Sequence, residues 1–174
     1  GNDGSISKDK LVSCINSDLA NNFGNLCQRV LAFTEKNLSL KVPKPDTFHD
    51  VDLNLLNNFS KKYKNLIDLI DNQNINLYMN FIVDQMFIAN KYFNDQEPWN
   101  KKNDIKRLNT IIYVSFELIR KISLLLYPVI PNTSLKALSM FNLKENDLNI
   151  DTIKNNTFLE PNLEINKIDI LFNK

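Results

Sequence analysis

Apolar residues in this chain return every three or four positions, and they do so in separate stretches bounded by proline or polar breaks. That spacing lines up one face of an α-helix and is incompatible with the two-residue alternation of a half-buried strand. Ile15, Leu19, Phe23, Leu26, Val30 and Phe33 predict a long first helix that starts soon after Ser7. Pro43 and Pro45 end it and force an extended link. A second helix is expected from about Val51 to Ile70, with Leu55, Leu56, Phe59, Tyr63, Leu66, Ile67 and Ile70 inward. A polar turn at Asp71 to Asn74 leads to a third from about Ile75 to Phe93, with Leu77, Tyr78, Phe81, Ile82, Gln85, Ile88 and Phe93 inward. Asn94 to Asn103 reads as a charged loop holding Pro98 and Trp99. A fourth helix runs from about Ile105 to Leu126 and is closed by Tyr127-Pro128 and Pro131; Ser134 to Phe141 is a short fifth.

Only three glycines occur in 174 residues, too few for the turns of a β-rich fold. The expected fold is therefore all-α: an antiparallel bundle of about five helices in a single domain over residues 1–174. Residues 1–7 form a lead-in segment, 8–142 the bundle, and 143–174 an irregular C-terminal arm with apolar anchors at Leu159, Leu163, Ile165 and Leu171. No internal repeat is evident.

Composition narrows the function. A net charge of +1 argues against broad, non-specific nucleic-acid binding, so any RNA partner needs a local patch. Arginine occurs only at Arg29, Arg107 and Arg120, which makes each a stronger functional candidate than in an Arg-rich chain. Cys14 and Cys27 lack a metal-binding spacing and read as reduced, cytosolic thiols. The most apolar run, Ile119 to Ile130, is short of the ~18 residues of a membrane span and carries Arg120 and Lys121. No signal peptide is read ahead of Gly1, and a cytoplasmic location is expected.

Nothing in the sequence argues for catalysis. There is no phosphate-binding Gly-rich loop and no zinc-type His/Cys cluster. His49, the single histidine, sits just ahead of the second helix, where a solvated or capping role is expected. Asp84 and Glu117 fall on different helices, and a solvated or salt-bridged state is the plainer reading of both.

The first helix carries a second pattern. At ~100° per residue, Asp18, Asn22, Asn25, Arg29 and Lys36 form a polar strip beside its apolar face. Asn25 and Arg29 are one turn apart and can grip one small object together. An amide donates and accepts, and a guanidinium offers a fixed fork of donors, so the pair suits the edge of an unpaired base. The alternative is a structural bridge to carboxylates of a neighbouring helix. Gly24, inside the same helix, suits a close approach by another helix or a ligand. Trp99, the only tryptophan, lies in a polar loop after Pro98; it is either a stacking platform for a base or a lid over the bundle end. Lys101 and Lys102 follow it and can meet phosphates.

The run Asn16-Ser-Asp-Leu-Ala-Asn-Asn-Phe-Gly-Asn-Leu-Cys-Gln-Arg29 resembles the start of the anticodon-binding domain of class I aminoacyl-tRNA synthetases, methionyl-tRNA synthetases above all. Gly1 to Ser7 resembles the segment that precedes that helix in the family. Glu97-Pro-Trp99 with Lys101, Glu117-Leu-Ile-Arg120 and Leu125-Leu-Tyr-Pro-Val-Ile-Pro131 are similar in order and spacing, as is the tail from Leu159-Glu-Pro161 to Leu171-Phe172. The resemblance implies a helical bundle that binds tRNA. In it, Asn25 and Arg29 hydrogen-bond the wobble cytosine of the CAU anticodon, Trp99 after Pro98 stacks on an anticodon base, and Lys36 assists at a neighbouring base. Glu117 and Arg120 are expected to be structural. The family's parent enzyme is a methionine–tRNA ligase that uses ATP and methionine, often with zinc, in protein biosynthesis. Its catalytic domain, whose His-Ile-Gly-His and Lys-Met-Ser-Lys-Ser signatures do not occur here, is expected to be a partner outside this chain. This chain alone is then expected to be inactive and to hold no cofactor. Two alternatives are the anticodon domain of a sister synthetase for Cys, Leu, Ile or Val, and a helical protein-interaction module without RNA binding.

Overall fold

The computed structural model describes residues 19–169 and 171. Among them five α-helices follow in order: α1 Asn25–Leu38, α2 Asp50–Asp71, α3 Ile75–Gln96, α4 Ile105–Leu126 and α5 Pro131–Leu138. No strand forms among the described residues, and the one isolated bridge joins Lys41 to Glu164. The expected all-α bundle is the observed architecture.

Helix α4 is its axis. Every residue from Thr110 to Leu126 is buried, and α1, α2, α3 and α5 all pack against it. A helix that is closed to solvent on all sides belongs at the centre of a bundle. It begins where Asp104 accepts the N–H of Arg107 at 3.1 Å, which satisfies one of the donors that a helix N-terminus leaves open.

Between Thr110 and Leu126 three buried residues are charged, and they explain the C-terminal arm. An unpaired buried charge costs several kcal/mol, so Glu117, Arg120 and Lys121 need partners, and most of these come from the arm. Glu117 accepts from Arg120 Nε at 2.9 Å and from the backbone N–H groups of Phe158 and Leu159 at 2.6 and 2.7 Å. The Arg120 guanidinium donates to Thr152 Oγ1 at 2.9 Å and lies 4.4 Å from the Phe158 ring centroid. Lys121 Nζ donates to the Ile153 carbonyl and to Asn156 Oδ1. The arm is thus held by buried electrostatics as well as by its apolar anchors, Leu159 and Ile165. It is also less irregular than expected, with 3-10 turns at Glu145–Asp147 and Ile150–Lys154.

Several local expectations are corrected. Leu77 and Ile88 are 58% and 38% exposed, whereas Tyr78, Met79, Ile82, Gln85, Met86 and Ala89 face inward. Apolar side chains occupy nearly every position from Leu77 to Val83, so periodicity there cannot single out one face. Helix α5 starts at Pro131, not Ser134; proline suits a first helical turn because its missing N–H would lack a partner there anyway. The first helix is not uniform: Leu19–Gly24 forms a π-helical turn ahead of α1. This turn packs on α3, where the Asn90 amide donates to the Asn22 carbonyl at 2.6 Å. Gly24 is buried there, in keeping with a close approach of another helix. Cys14, Ile15, Asp18 and the lead-in segment lie outside the described residues.

Candidate functional site

The polar strip of α1 meets the end of α3 at one aromatic ring, Phe93. The ring is 2% exposed and sits in the last turns of α3. Arg29 reaches it from α1, with its guanidinium carbon 5.1 Å from the ring centroid. One turn further along α1, Phe33 packs edge-on to the same ring at 6.4 Å between centroids. Trp99 meets the ring from the other side of the chain turn, at 6.2 Å and an interplanar angle of 65°.

The turn that brings Trp99 there is short. Helix α3 ends at Gln96, Glu97 takes the left-handed conformation with φ 45°, and Pro98–Asn100 forms a 3-10 turn with proline at its start. Pro98 is buried, and Trp99 stays 41% exposed. The indole therefore packs against Phe93 and keeps part of its surface open to solvent, which is compatible with either reading, a lid or a platform.

Arg29 is half-buried, and its Nη2 donates to Asn94 Oδ1 at 2.6 Å. Among the described residues no carboxylate pairs with Arg29; its partner across the helices is the neutral Asn94 amide. Such a bond engages one donor of the guanidinium without neutralising it. The positive charge remains available, and cation–π contact with Phe93 holds the fork in place.

Asn25 is the exposed first residue of α1, one turn before Arg29. Lys36 is exposed in the last turn of α1, ~10 Å along the helix from Arg29. It is too far along the helix to act on the same small group as Arg29. Lys101 is half-buried and Lys102 exposed, directly after the Trp99 turn. Phe93 was expected only as core, and Asn94 as loop. Because α3 continues to Gln96, Asn94 is helical and turned toward α1, a fact that depends on where the helix ends.

Other candidates take no part in these contacts. His49 is exposed ahead of α2, and its backbone N–H donates to Asp52 at 2.8 Å. Asp84 is exposed, whereas Glu117 is sealed in the Arg120 network. The Cys27 thiol is fully buried, and burial pushes its pKa far above the ordinary thiol value, which makes it unreactive. Among the described residues no group of three or more His, Cys, Asp and Glu is placed to hold a metal ion. No helix among them is long and apolar enough to cross a membrane.

Comparison with known proteins gives this geometry its setting. A family described as the anticodon binding domain of methionyl tRNA ligase matches residues 42–174. That span includes Pro98, Trp99, Lys101 and Lys102 but not Asn25, Arg29 or Lys36. The methionine–tRNA ligase of Brucella suis is 36% identical over 141 residues, 80% of this chain and 27% of that protein. The Mycobacterium leprae enzyme is 35% identical over 150 residues, 83% of this chain and 28% of that protein. Methionyl-tRNA synthetase from Mycobacterium tuberculosis, solved in complex with methionyl-adenylate, superimposes with a TM-score of 0.88 at 32% identity. The match covers 97% of this chain and 34% of that one. The chain thus spans about a quarter to a third of the length of the relatives it matches. On the strength of both the matched family and these relatives, the chain belongs to the anticodon-binding domains of methionyl-tRNA ligases.

Proposed function

We propose that this chain reads the CAU anticodon of methionine tRNA, with Trp99 as the stacking platform and Asn25 with Arg29 as readers of the wobble base. The observation that supports this reading is the convergence of Arg29 and Trp99 on the single ring of Phe93. A base stacked on the exposed indole brings its edge toward the α1 strip. Cytosine displays one donor and two acceptors on its Watson–Crick edge. Arg29 supplies donors only, and the Asn25 amide supplies both kinds, so together they match that pattern. A base with another order of donors and acceptors leaves a desolvated polar group unpaired, at ~1–3 kcal/mol each.

Arg29 is held in readiness by Asn94. A neutral amide is a weaker competitor than a carboxylate, so a base can replace it without breaking an ion pair. Lys36 serves the neighbouring base, and Lys101 and Lys102 serve phosphates of the anticodon loop. The chain performs no chemistry of its own in this scheme. We further propose that it works within a methionine–tRNA ligase, whose catalytic part takes ATP, methionine and, in many members, zinc. The correct anticodon fit there favours placement of the distant acceptor end.

The test is equilibrium binding of this chain to labelled anticodon stem-loops at fixed salt. Tighter binding of CAU than of stem-loops changed at the wobble base is the expected result. Equal affinity for all of them overturns the proposal.

A further inference from the structure

The loop that presents Trp99 spans residues 97–104, and both of its ends are held by one residue, Arg107. Upstream, Gln96 Oε1 at the end of α3 accepts from Arg107 Nη2 at 2.5 Å. Downstream, Asp104 accepts the Arg107 backbone N–H at 3.1 Å. The guanidinium is itself fixed from α2: Asp52, fully buried, accepts from Nη1 at 2.5 Å and from Nη2 at 3.0 Å. The Tyr92 hydroxyl donates to the same carboxylate at 2.6 Å. This bidentate pair therefore joins the start of α2, the end of α3 and the start of α4.

The arrangement divides the last turn of α3 between two tasks. Tyr92 and Gln96, four residues apart, face the buried pair. Phe93 and Asn94, between them, face Arg29. On one helical turn these positions cannot rotate independently. Glu97, the next residue, holds φ at 45°, a conformation disfavoured for a side chain with a Cβ and stable only when its surroundings dictate it.

We propose that Arg107 is a positioning residue for the candidate site: through Gln96 and Asp104 it sets the turn that aims Trp99, and through Asp52 and Tyr92 it sets the rotation of α3 that presents Phe93 and Asn94 to Arg29. The functional half of this inference rests on the anticodon reading above; the geometric half does not. It also gives the scarce arginines distinct work. Arg29 touches the ligand, Arg107 aims the surface, and Arg120 pins the arm.

Trp99 is the only tryptophan in the chain, so its fluorescence reports the turn without any RNA. Two variants of the 174-residue chain separate the possibilities. Gln96→Ala removes the upstream hold and leaves the Asp52–Arg107 pair intact, so it keeps the fold. Arg107→Lys keeps the charge and loses the fork. Both are expected to red-shift Trp99 emission and to raise its quenching by acrylamide, with unchanged far-UV helicity. Each is expected to weaken CAU stem-loop binding about three- to tenfold, the equivalent of one net hydrogen bond. Wild-type emission and quenching in Gln96→Ala overturn the positioning role. An altered indole with wild-type affinity overturns its coupling to binding. If the wild-type chain shows no preference for CAU, the anticodon reading fails instead, and the fluorescence alone decides whether Arg107 places the turn.

Discussion

Arg29 and Trp99, seventy residues apart in the chain, rest against the same phenyl ring: the guanidinium carbon lies 5.1 Å from the Phe93 centroid and the indole 6.2 Å from it. A cation and an exposed aromatic ring that share one buried support hold a fixed separation, and this makes Phe93 the hidden part of the candidate site. Phe93→Leu keeps most of the buried volume and removes the ring. The expected outcome is a folded chain with a modest loss of stability, ~1 kcal/mol, and a loss of discrimination between CAU and wobble-changed stem-loops. Discrimination at the wild-type level, measured by competition binding, contradicts a supporting role for the ring.

Trp99 itself separates platform from lid. It is 41% exposed, so Trp99→Ala removes little core. Affinity for the CAU stem-loop is expected to fall by ~1–3 kcal/mol, the usual worth of a base stacked on an aromatic side chain. Trp99→Phe is expected to recover a part of it. A thermal midpoint that drops by many degrees while the affinity of the remaining folded chain is unchanged assigns the indole to the lid alone.

Charge around the turn is open to a separate measurement. Lys101 and Lys102 are assigned to phosphates, which carry affinity and no sequence information. Replacing both with Gln is expected to weaken all stem-loops alike and to lower the slope of log K against log salt by about 1–2. A change in preference between CAU and its variants contradicts that assignment.

The helices were legible because their apolar spacing is a local property. Helix α4 was expected at about Ile105 to Leu126, where it lies, because Tyr127-Pro128 and Pro131 close its apolar pattern. Arg29, Asn25 and Trp99 were legible as polar or aromatic residues out of place in a core pattern. Their meeting at Phe93 was not, because it depends on α3 running three residues past its expected end and on a left-handed Glu97. The role of the arm was also hidden. Glu117, Arg120 and Lys121 stand in the fourth helix like any charged residues, and only the burial of that helix on every side makes partners obligatory. Leu77 and Ile88 were misread for the opposite reason, an excess of apolar residues around them.

Glu117 is the test of how the arm is retained. Its carboxylate accepts from Arg120 and from two arm N–H groups, and its removal strands all of them. Glu117→Ala is expected to cost ~3–5 kcal/mol, the range for breaking a buried pair by taking one partner away. Limited proteolysis is expected to cut first within residues 150–160, where the released backbone lies. Wild-type resistance at that segment contradicts an electrostatic hold.

Lys121 makes the stability of the same joint depend on pH. Burial, with the neighbouring Arg120 charge, pulls its ammonium down to about 7, against the opposing pull of Glu117. In the unfolded chain the ordinary value is about 10.4. Between these two values the unfolded state binds more protons than the folded one, so folding stability rises with pH across that window. Below about 7 both states are protonated and this contribution is flat. Above about 10 the buried tyrosines titrate in the opposite sense, because Tyr78, Tyr92 and Tyr113 all have raised values and the unfolded chain loses its phenolic protons first. The useful range is therefore about pH 7 to 9. Denaturant unfolding is expected to show stability increasing over that range by an amount on the order of 1–2 kcal/mol. Lys121→Met removes the titrating group and is expected to flatten the slope while leaving Glu117 paired with Arg120. If the Met variant keeps the wild-type slope, the pH dependence belongs to another group and Lys121 is charged in both states throughout.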